Sequence, residues 1–300
     1  MTVDPQLEKI LTYAAGAPPL HVLSVADARA TFRRLTEERT PLAPDMPVSE
    51  IMIDAGESVL AARLYEPEGA LENDLMVFFH GGGFVVGDLE SHDPLCRRLA
   101  ASAPIRVLSV AYRLGPEHPH PAAYLDAVAA VNWASDRLTS GGRLFVAGDS
   151  AGANIAAWTS VDLRTNGRSP IDGLLLIYPN VAFAHRTRSR DACGNGYMLS
   201  QRDLDYFSGH FLQGAEDRSL LDANFSGLPR TILVTAAFDP LCDEGRELVE
   251  RMRHAGVIVK ELHFPTLIHG FANMSHLSLA AEAAVQEISR TISVLRGPAI

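Results

Sequence analysis

Six short apolar runs, most of them separated by stretches of helical periodicity, constrain the fold of this chain more than any other feature. They are Leu75–Phe79, Ile105–Val110, Leu144–Ala147, Leu174–Ile177, Ile232–Thr235 and Val257–Leu262. Between them Tyr124, Val128, Val131 and Leu138 keep a helical stripe, as do Val285, Ile288, Ile292 and Leu295 further on. Strands that alternate with helices form βαβ units, so an α/β fold with a mainly parallel central sheet and helices packed on it is expected. Upstream, IMIDAGESVLAARLY (residues 51–65) holds two alternating segments around Ala55-Gly56-Glu57, the pattern of an antiparallel hairpin added to that sheet.

Two stretches break the rhythm. Residues 1–45 read as two amphipathic helices ending in the proline-rich TPLAPDMP, which resembles a linker. Residues 183–222 are longer than a structural connection needs, and excursions of that length act as lids or insertions. Both are expected to form a helical cap, with residues 46–300 as the main domain and 183–222 contributing from within it.

Composition narrows the partners. The 26 basic and 36 acidic residues give a net charge of −10, which repels nucleic acid and anionic lipid, so a small uncharged ligand is the easier expectation. Cys96, Cys193 and Cys242 are odd in number and lack a CxxC spacing, which points to free thiols in a reducing cytosol. The start, MTVDPQLEKILTYAAGAPPL, has acids and a proline where a secretory signal needs a basic start and an unbroken apolar stretch, so a cytoplasmic location is expected. No run approaches the ~18 apolar residues of a membrane span, and no stable membrane association is expected. The edge strand before the terminal helices is open to pairing, which leaves a homo-oligomer among the expectations.

In LFVAGDSAGANIAAW a strand runs into Gly148-Asp149-Ser150-Ala151-Gly152 and then a helix, the strand, sharp turn and helix of a GxSxG nucleophile elbow. Taken alone, Ser150 reads equally well as a helix-capping serine. A serine nucleophile needs a base, and the base an orienting acid. Asp239 stands at the end of one later strand, in FDPLCDEG, where Asp243 is better placed to cap the following helix. His269, in HFPTLIHGF, follows the last strand. His263 falls at a strand edge and His254 on an exposed helix face. His118 and His120, separated by a proline and without a third ligand, suggest no metal site.

HGGGFVVGDLESHD places Gly81, Gly82 and Gly83 at the carboxyl end of the strand Leu75–Phe79. Attack on an ester carbonyl creates a negative oxygen that must meet donors already in position, and backbone N–H groups approach it where no side chain intervenes. A phosphate-cradling loop would want a lysine and a hydroxyl residue after the glycines; Phe84 and Val85 stand there instead.

With HGGGFVVGDLESHD, VAYRLGPEHPHPAAYLDA, GDSAGAN, DPLCDEG and IHGF in this order between about residues 75 and 275, the chain resembles the bacterial hormone-sensitive-lipase family of carboxylesterases, within the α/β-hydrolase superfamily. The resemblance implies an α/β-hydrolase fold with a cap, a triad of Ser150, Asp239 and His269, and an oxyanion hole from the amides of Gly82, Gly83 and Ala151. It implies neither cofactor nor metal. By the same resemblance His80 braces the glycine loop, and YRLGPEHPHP supports it with Arg113 and Glu117 as internal partners. Family members often carry alanine at Gly115 and an aromatic residue at His120. The implied activity is hydrolysis of short- to medium-chain acyl esters through an acyl-enzyme. An amidase, lactonase or deacetylase would use the same chemistry, and a true lipase is a further option. A non-catalytic ligand-binding homologue like the plant gibberellin receptors usually has a damaged triad, whereas His269 is present here.

Overall fold

The structure is a computed structural model that describes residues 2–37, 43–70, 73–164 and 169–297. Part of the expected linker, residues 40–42, lies outside the described residues.

Eight strands form one sheet in the order β1-β2-β4-β3-β5-β6-β7-β8. The hairpin expected at Ala55-Gly56-Glu57 joins β1 (Val48–Asp54) to β2 (Val59–Tyr65), and β2 also runs antiparallel to β4 (Arg106–Val110). From β4 onward every pairing is parallel, through β3 (Leu75–Phe79), β5 (Leu144–Asp149), β6 (Gly173–Ile177), β7 (Arg230–Phe238) and β8 (Val259–Ile268). All residues of β3, β5 and β6 are buried, as expected for parallel strands covered on both faces.

Successive side chains of a strand point to opposite faces, and so the sheet feeds two cores. Val77, Phe79 and Val146 pack with α4 (Ala122–Ser135), α5 (Ala151–Leu163) and α8 (Cys242–His254). Met76, Phe78 and Phe145 pack with α1 (Pro5–Ala14), α3 (Leu89–Ser102) and α9 (Leu279–Thr291). The expected stripe Val285, Ile288, Ile292 and Leu295 is buried in the second core. Leu138 lies beyond the end of α4 at Ser135, because the chain there turns back toward β5. The last strand continues to Ile268, so His263 lies within it, 2.9 Å from Thr235 Oγ1 on β7, and Pro265 is accommodated because β8 is an edge strand.

The excursion at residues 183–222 carries α6 (Arg188–Cys193), α7 (Gln201–Leu212) and a 3-10 turn at Leu220–Asp222. A reciprocal capping box starts α7: Ser200 Oγ accepts the Asp203 N–H and Asp203 Oδ2 accepts the Ser200 N–H. Asp203 Oδ1 also lies 2.8 Å from His21 Nδ1, joining α7 to the 3-10 turn Leu20–Val22 ahead of α2 (Val25–Glu37).

Candidate active site

The carboxyl ends of β3, β5, β7 and β8 converge on Ser150. β5 ends at Asp149, α5 begins at Ala151, and Ser150 between them is held at φ +54° and ψ −117°. A non-glycine residue is strained there and keeps that conformation only where its surroundings impose it. The impositions are specific. Ser150 N–H donates to the Ile177 carbonyl at 2.9 Å, and its carbonyl accepts from Asn180. A Cβ on Gly152 would overlap the Phe79 carbonyl oxygen, and one on Gly148 would overlap the backbone of Gly152. Both motif glycines therefore serve the close approach of β3, β5 and α5.

His269 follows β8 directly. Its Nδ1 lies 2.8 Å from Asp239 Oδ2 and its Nε2 lies 3.0 Å from Ser150 Oγ. An ionised carboxylate only accepts, so Nδ1 carries the proton and Nε2 is free to accept the serine hydroxyl hydrogen. Asp239 is fully buried, and its Oδ1 accepts the Leu241 N–H at 2.7 Å, which leaves Oδ2 for the imidazole. The ring of Tyr178 packs against His269 at 4.9 Å. Asp243 does not cap α8: it already sits in the first turn, and its Oδ2 accepts the Ser189 N–H of α6. Asp239 instead holds the start of α8, through Oδ1 to Leu241 and through its carbonyl to Cys242.

The glycine loop turns sharply, with φ of +120°, +60° and +64° at Gly82, Gly83 and Phe84, and the amides of Val85 and Val86 fold back onto the Gly82 carbonyl. Among the described residues the N–H groups of Gly82, Gly83 and Ala151 donate to no protein acceptor. Gly82 and Gly83 are partly exposed, and Ala151 opens a helix, where amides lack intrahelical partners. Gly81 differs from its neighbours, since its N–H donates to Asp149 Oδ1 at 2.8 Å.

Asp149 was legible only as a motif residue, but it joins several parts of the site. Its carboxylate also lies 3.2 Å from His92 Nε2, 3.3 Å from Asn273 Nδ2 just beyond His269, and 3.4 Å from the Tyr178 hydroxyl. Burial opposes its ionisation, but His92 and the Gly81 N–H outweigh that and hold its carboxyl below the usual range. His80 lies under the loop, fully buried, with Nδ1 donating to the Gly81 carbonyl at 2.8 Å and its ring stacked on Tyr112 at 4.4 Å. Burial, aided by His92, lowers its pKa to about 4, so it is a neutral brace at ordinary pH.

The supporting loop departs from expectation in its partners. Arg113 pairs with the buried Asp126 of α4 at 2.7 Å, and Glu117 pairs with Arg29 of α2 at 2.7 Å, so both partners lie outside YRLGPEHPHP, and Arg29 lies outside VAYRLGPEHPHPAAYLDA as well. A Cβ at Gly115 would lie 2.8 Å from the His210 carbonyl oxygen, which gives α7 room to seat against this loop. The side of His120 packs edge-on against Tyr124 and Phe211. Above the glycine loop, Phe211 stacks on Phe84 at 4.1 Å, and a Cβ on Gly83 would fall inside the Phe207 ring. Neither phenylalanine of α7 carried a signal in the sequence.

A family model for the α/β-hydrolase fold matches residues 76–273. The chain belongs to the α/β-hydrolase family. Within it, this α/β-hydrolase falls among the carboxylesterases of the hormone-sensitive-lipase type. It is 37% identical to the carboxylic ester hydrolase LipN of Mycobacterium tuberculosis, over 98% of this chain and 83% of that protein. It is 32% identical to an ethyl acetate hydrolase of Pseudomonas putida, over 92% and 94%. A solved esterase from Pyrobaculum calidifontis superposes on this hydrolase with a TM-score of 0.92 at 32% identity, covering 99% of this chain and all of that one. No helix among the described residues is long and apolar enough to cross a membrane.

The excursion of the hydrolase is tied down beside the acid loop. Arg190 of α6 donates to Glu244 Oε2 at 2.7 Å and to the carbonyls of Ala182 and Phe183, while Glu244 Oε1 accepts the Val181 N–H. Burial raises the Glu244 pKa to about 7, against the opposing pull of Arg190.

Proposed function

We propose that this α/β-hydrolase is a serine carboxylesterase acting on short- to medium-chain acyl esters through an acyl-enzyme. The observation that carries the reading is the run of contacts from Asp239 through His269 to Ser150, at 2.8 and 3.0 Å, with three amides of the same region that have no acceptor among the described residues.

Ser150 Oγ attacks the ester carbonyl carbon as His269 Nε2 takes its proton, and the carbonyl π electrons move onto oxygen. The amides of Gly82, Gly83 and Ala151 receive that oxyanion, each donor supplying roughly 3 kcal/mol. Collapse of the intermediate breaks the bond to the alcohol, which leaves with the proton from His269. Water then attacks the acyl-enzyme, gives its proton to His269, and the second collapse returns the proton to Ser150 with release of the acid. Asp239 holds the tautomer and balances the transient imidazolium. No step requires a cofactor or metal.

Residues 1–45 and 183–222 act as the cap in this reading. Support comes from the His21–Asp203 contact between them and from the seating of Phe207 on the oxyanion loop, which favours small esters. The buried, unpaired cysteines suit a reducing compartment, and we assign the enzyme to the cytoplasm with small-molecule esters as its partners. The open side of β8 is the place for a second copy, should the enzyme form a homo-oligomer.

Incubation with a fluorophosphonate probe tests the reading. Wild type is expected to label and Ser150→Ala not to, with hydrolysis of p-nitrophenyl butyrate lost in parallel. A Ser150→Ala enzyme that keeps substantial activity would refute it. A panel of amides, lactones and acetylated substrates separates esterase from the related activities.

A further inference from the structure

We propose that Arg29, in helix α2, is a positioning residue for the oxyanion loop, so that the N-terminal segment sets reactivity at Ser150. The inference rests on the assignment of Gly82 and Gly83 as oxyanion donors.

Three consecutive residues with positive φ, the last of them a phenylalanine, form a turn whose internal bonds run from the Val85 and Val86 amides to the Gly82 carbonyl. Such a conformation persists where neighbours over-determine it. Inside the family core, Asp149 takes the Gly81 N–H, Tyr112 Oη donates to the His80 carbonyl, and Gly115 N–H donates to the Phe84 carbonyl. The next carbonyl, that of Val85, is taken by Arg29 Nε at 2.8 Å. Nη2 of the same guanidinium reaches the Gly115 carbonyl at 2.9 Å, and Nη1 and Nη2 grip both carboxylate oxygens of Glu117 at 2.9 and 2.7 Å. One planar fork thus fastens the far end of the glycine turn to the loop that backs it, a geometry that a single ammonium does not reproduce.

Val85 is coupled to the donors by the shortest path available, because its own N–H and that of Val86 bond the Gly82 carbonyl. An open cavity of about 410 Å³ lies beside the clamp, lined in part by Arg29, Gly87 and Glu117. Without the guanidinium the Val85 carbonyl loses this donor, and the Gly82 and Gly83 amides lose the restraint that reaches them through the Gly82 carbonyl. Arg29 also lies outside the region 76–273 matched by the family model, which makes it a feature of this chain's N-terminal segment.

The test compares a trifluoromethyl ketone with the alcohol of the same skeleton. Ser150 Oγ adds to the ketone carbon, its proton passes to His269, and the ketone oxygen becomes an anion held by the amides; the alcohol binds without forming one. Arg29→Met, which keeps the apolar stem, is expected to lower kcat about tenfold with KM changed less than about twofold, and to weaken the ketone about tenfold while leaving the alcohol's affinity in place. Arg29→Lys should recover part of the loss. Unchanged kcat and ketone affinity in Arg29→Met would overturn the proposal, as would equal weakening of ketone and alcohol, the mark of general damage. A wild-type enzyme that binds the ketone no tighter than the alcohol would overturn the oxyanion assignment itself, and the clamp with it.

Discussion

Asp149 Oδ1 accepts the main-chain N–H of Gly81 across 2.8 Å, a bond that ties the residue before the serine to the first glycine of the loop. Gly81 has no positive φ, so its constraint is contact: an added Cβ would sit 2.7 Å from Asp149 Oδ2 and 3.0 Å from the Asp149 carbonyl oxygen. Gly81→Ala is therefore expected to part the loop from the elbow, costing about 2 kcal/mol of stability and a larger share of kcat than of KM. Urea denaturation and steady-state kinetics check both, and a variant with wild-type kcat would contradict the coupling.

Ser150 separates chemistry from strain. Ser150→Ala and Ser150→Gly should each lose hydrolysis on the order of 10⁴-fold or more. Glycine accepts φ +54° at little cost whereas alanine does not, so the glycine variant is expected to be the more stable of the two by about 1 kcal/mol. Thermal melts of the pair decide this, and equal melting points would show an unstrained elbow.

Phe207 lies on Gly83 and bounds the space above the oxyanion loop. Phe207→Ala should raise kcat/KM for p-nitrophenyl octanoate relative to acetate by about tenfold, since removing the ring opens room for several methylenes. An unchanged ratio would mean that the longer acyl chain runs elsewhere.

Arg190→Met leaves Glu244 buried without its cation, at a cost of about 3–5 kcal/mol. Because the Glu244 carboxyl already takes up a proton near pH 7, that penalty should shrink in acid. Urea midpoints at pH 5 and pH 8 check the sign: the gap between wild type and variant is expected to be narrower at pH 5.

His80 gives a second pH signature. The folded imidazole protonates only near pH 4, whereas in the unfolded chain it does so near its ordinary value of about 6.5. Between those values the unfolded state binds more protons, so stability rises with pH across the window. The contribution, about 3 kcal/mol, is fully present above about pH 6.5 and is lost as pH falls toward 4. His80→Gln should flatten the melting-temperature profile over that range; an unaltered slope would assign it to other groups.

Local signals account for what the sequence made legible. Apolar runs mark parallel strands, and Ser150, Asp239 and His269 each sit where a strand ends, so position in the chain and order were enough to nominate them. The hairpin at Ala55-Gly56-Glu57 was legible for the same reason. Asp243 misled because acidic residues near a helix start read as caps, while its actual partner, Ser189, belongs to another helix. Arg29, Phe207 and Asn273 left no trace, since their contacts join segments far apart in the chain: Arg29 to Val85, Phe207 to Gly83, Asn273 to Asp149. The ends of α4 and β8 were misplaced by a few residues, as tertiary pairing rather than propensity sets them.

The start of α1 bears on how its neighbourhood can be dissected. Asp4 N–H donates to the Thr266 carbonyl, three residues before His269, and Asp4 Oδ1 accepts from Ser278 Oγ at the head of α9, while Gln6 Oε1 accepts the Leu279 N–H. An N-terminal truncation intended to remove the proposed cap would also unfasten the base of the loop that carries His269 and the last helix. Loss of turnover in such a deletion would mix two causes, and point substitutions in α2 are the cleaner instrument.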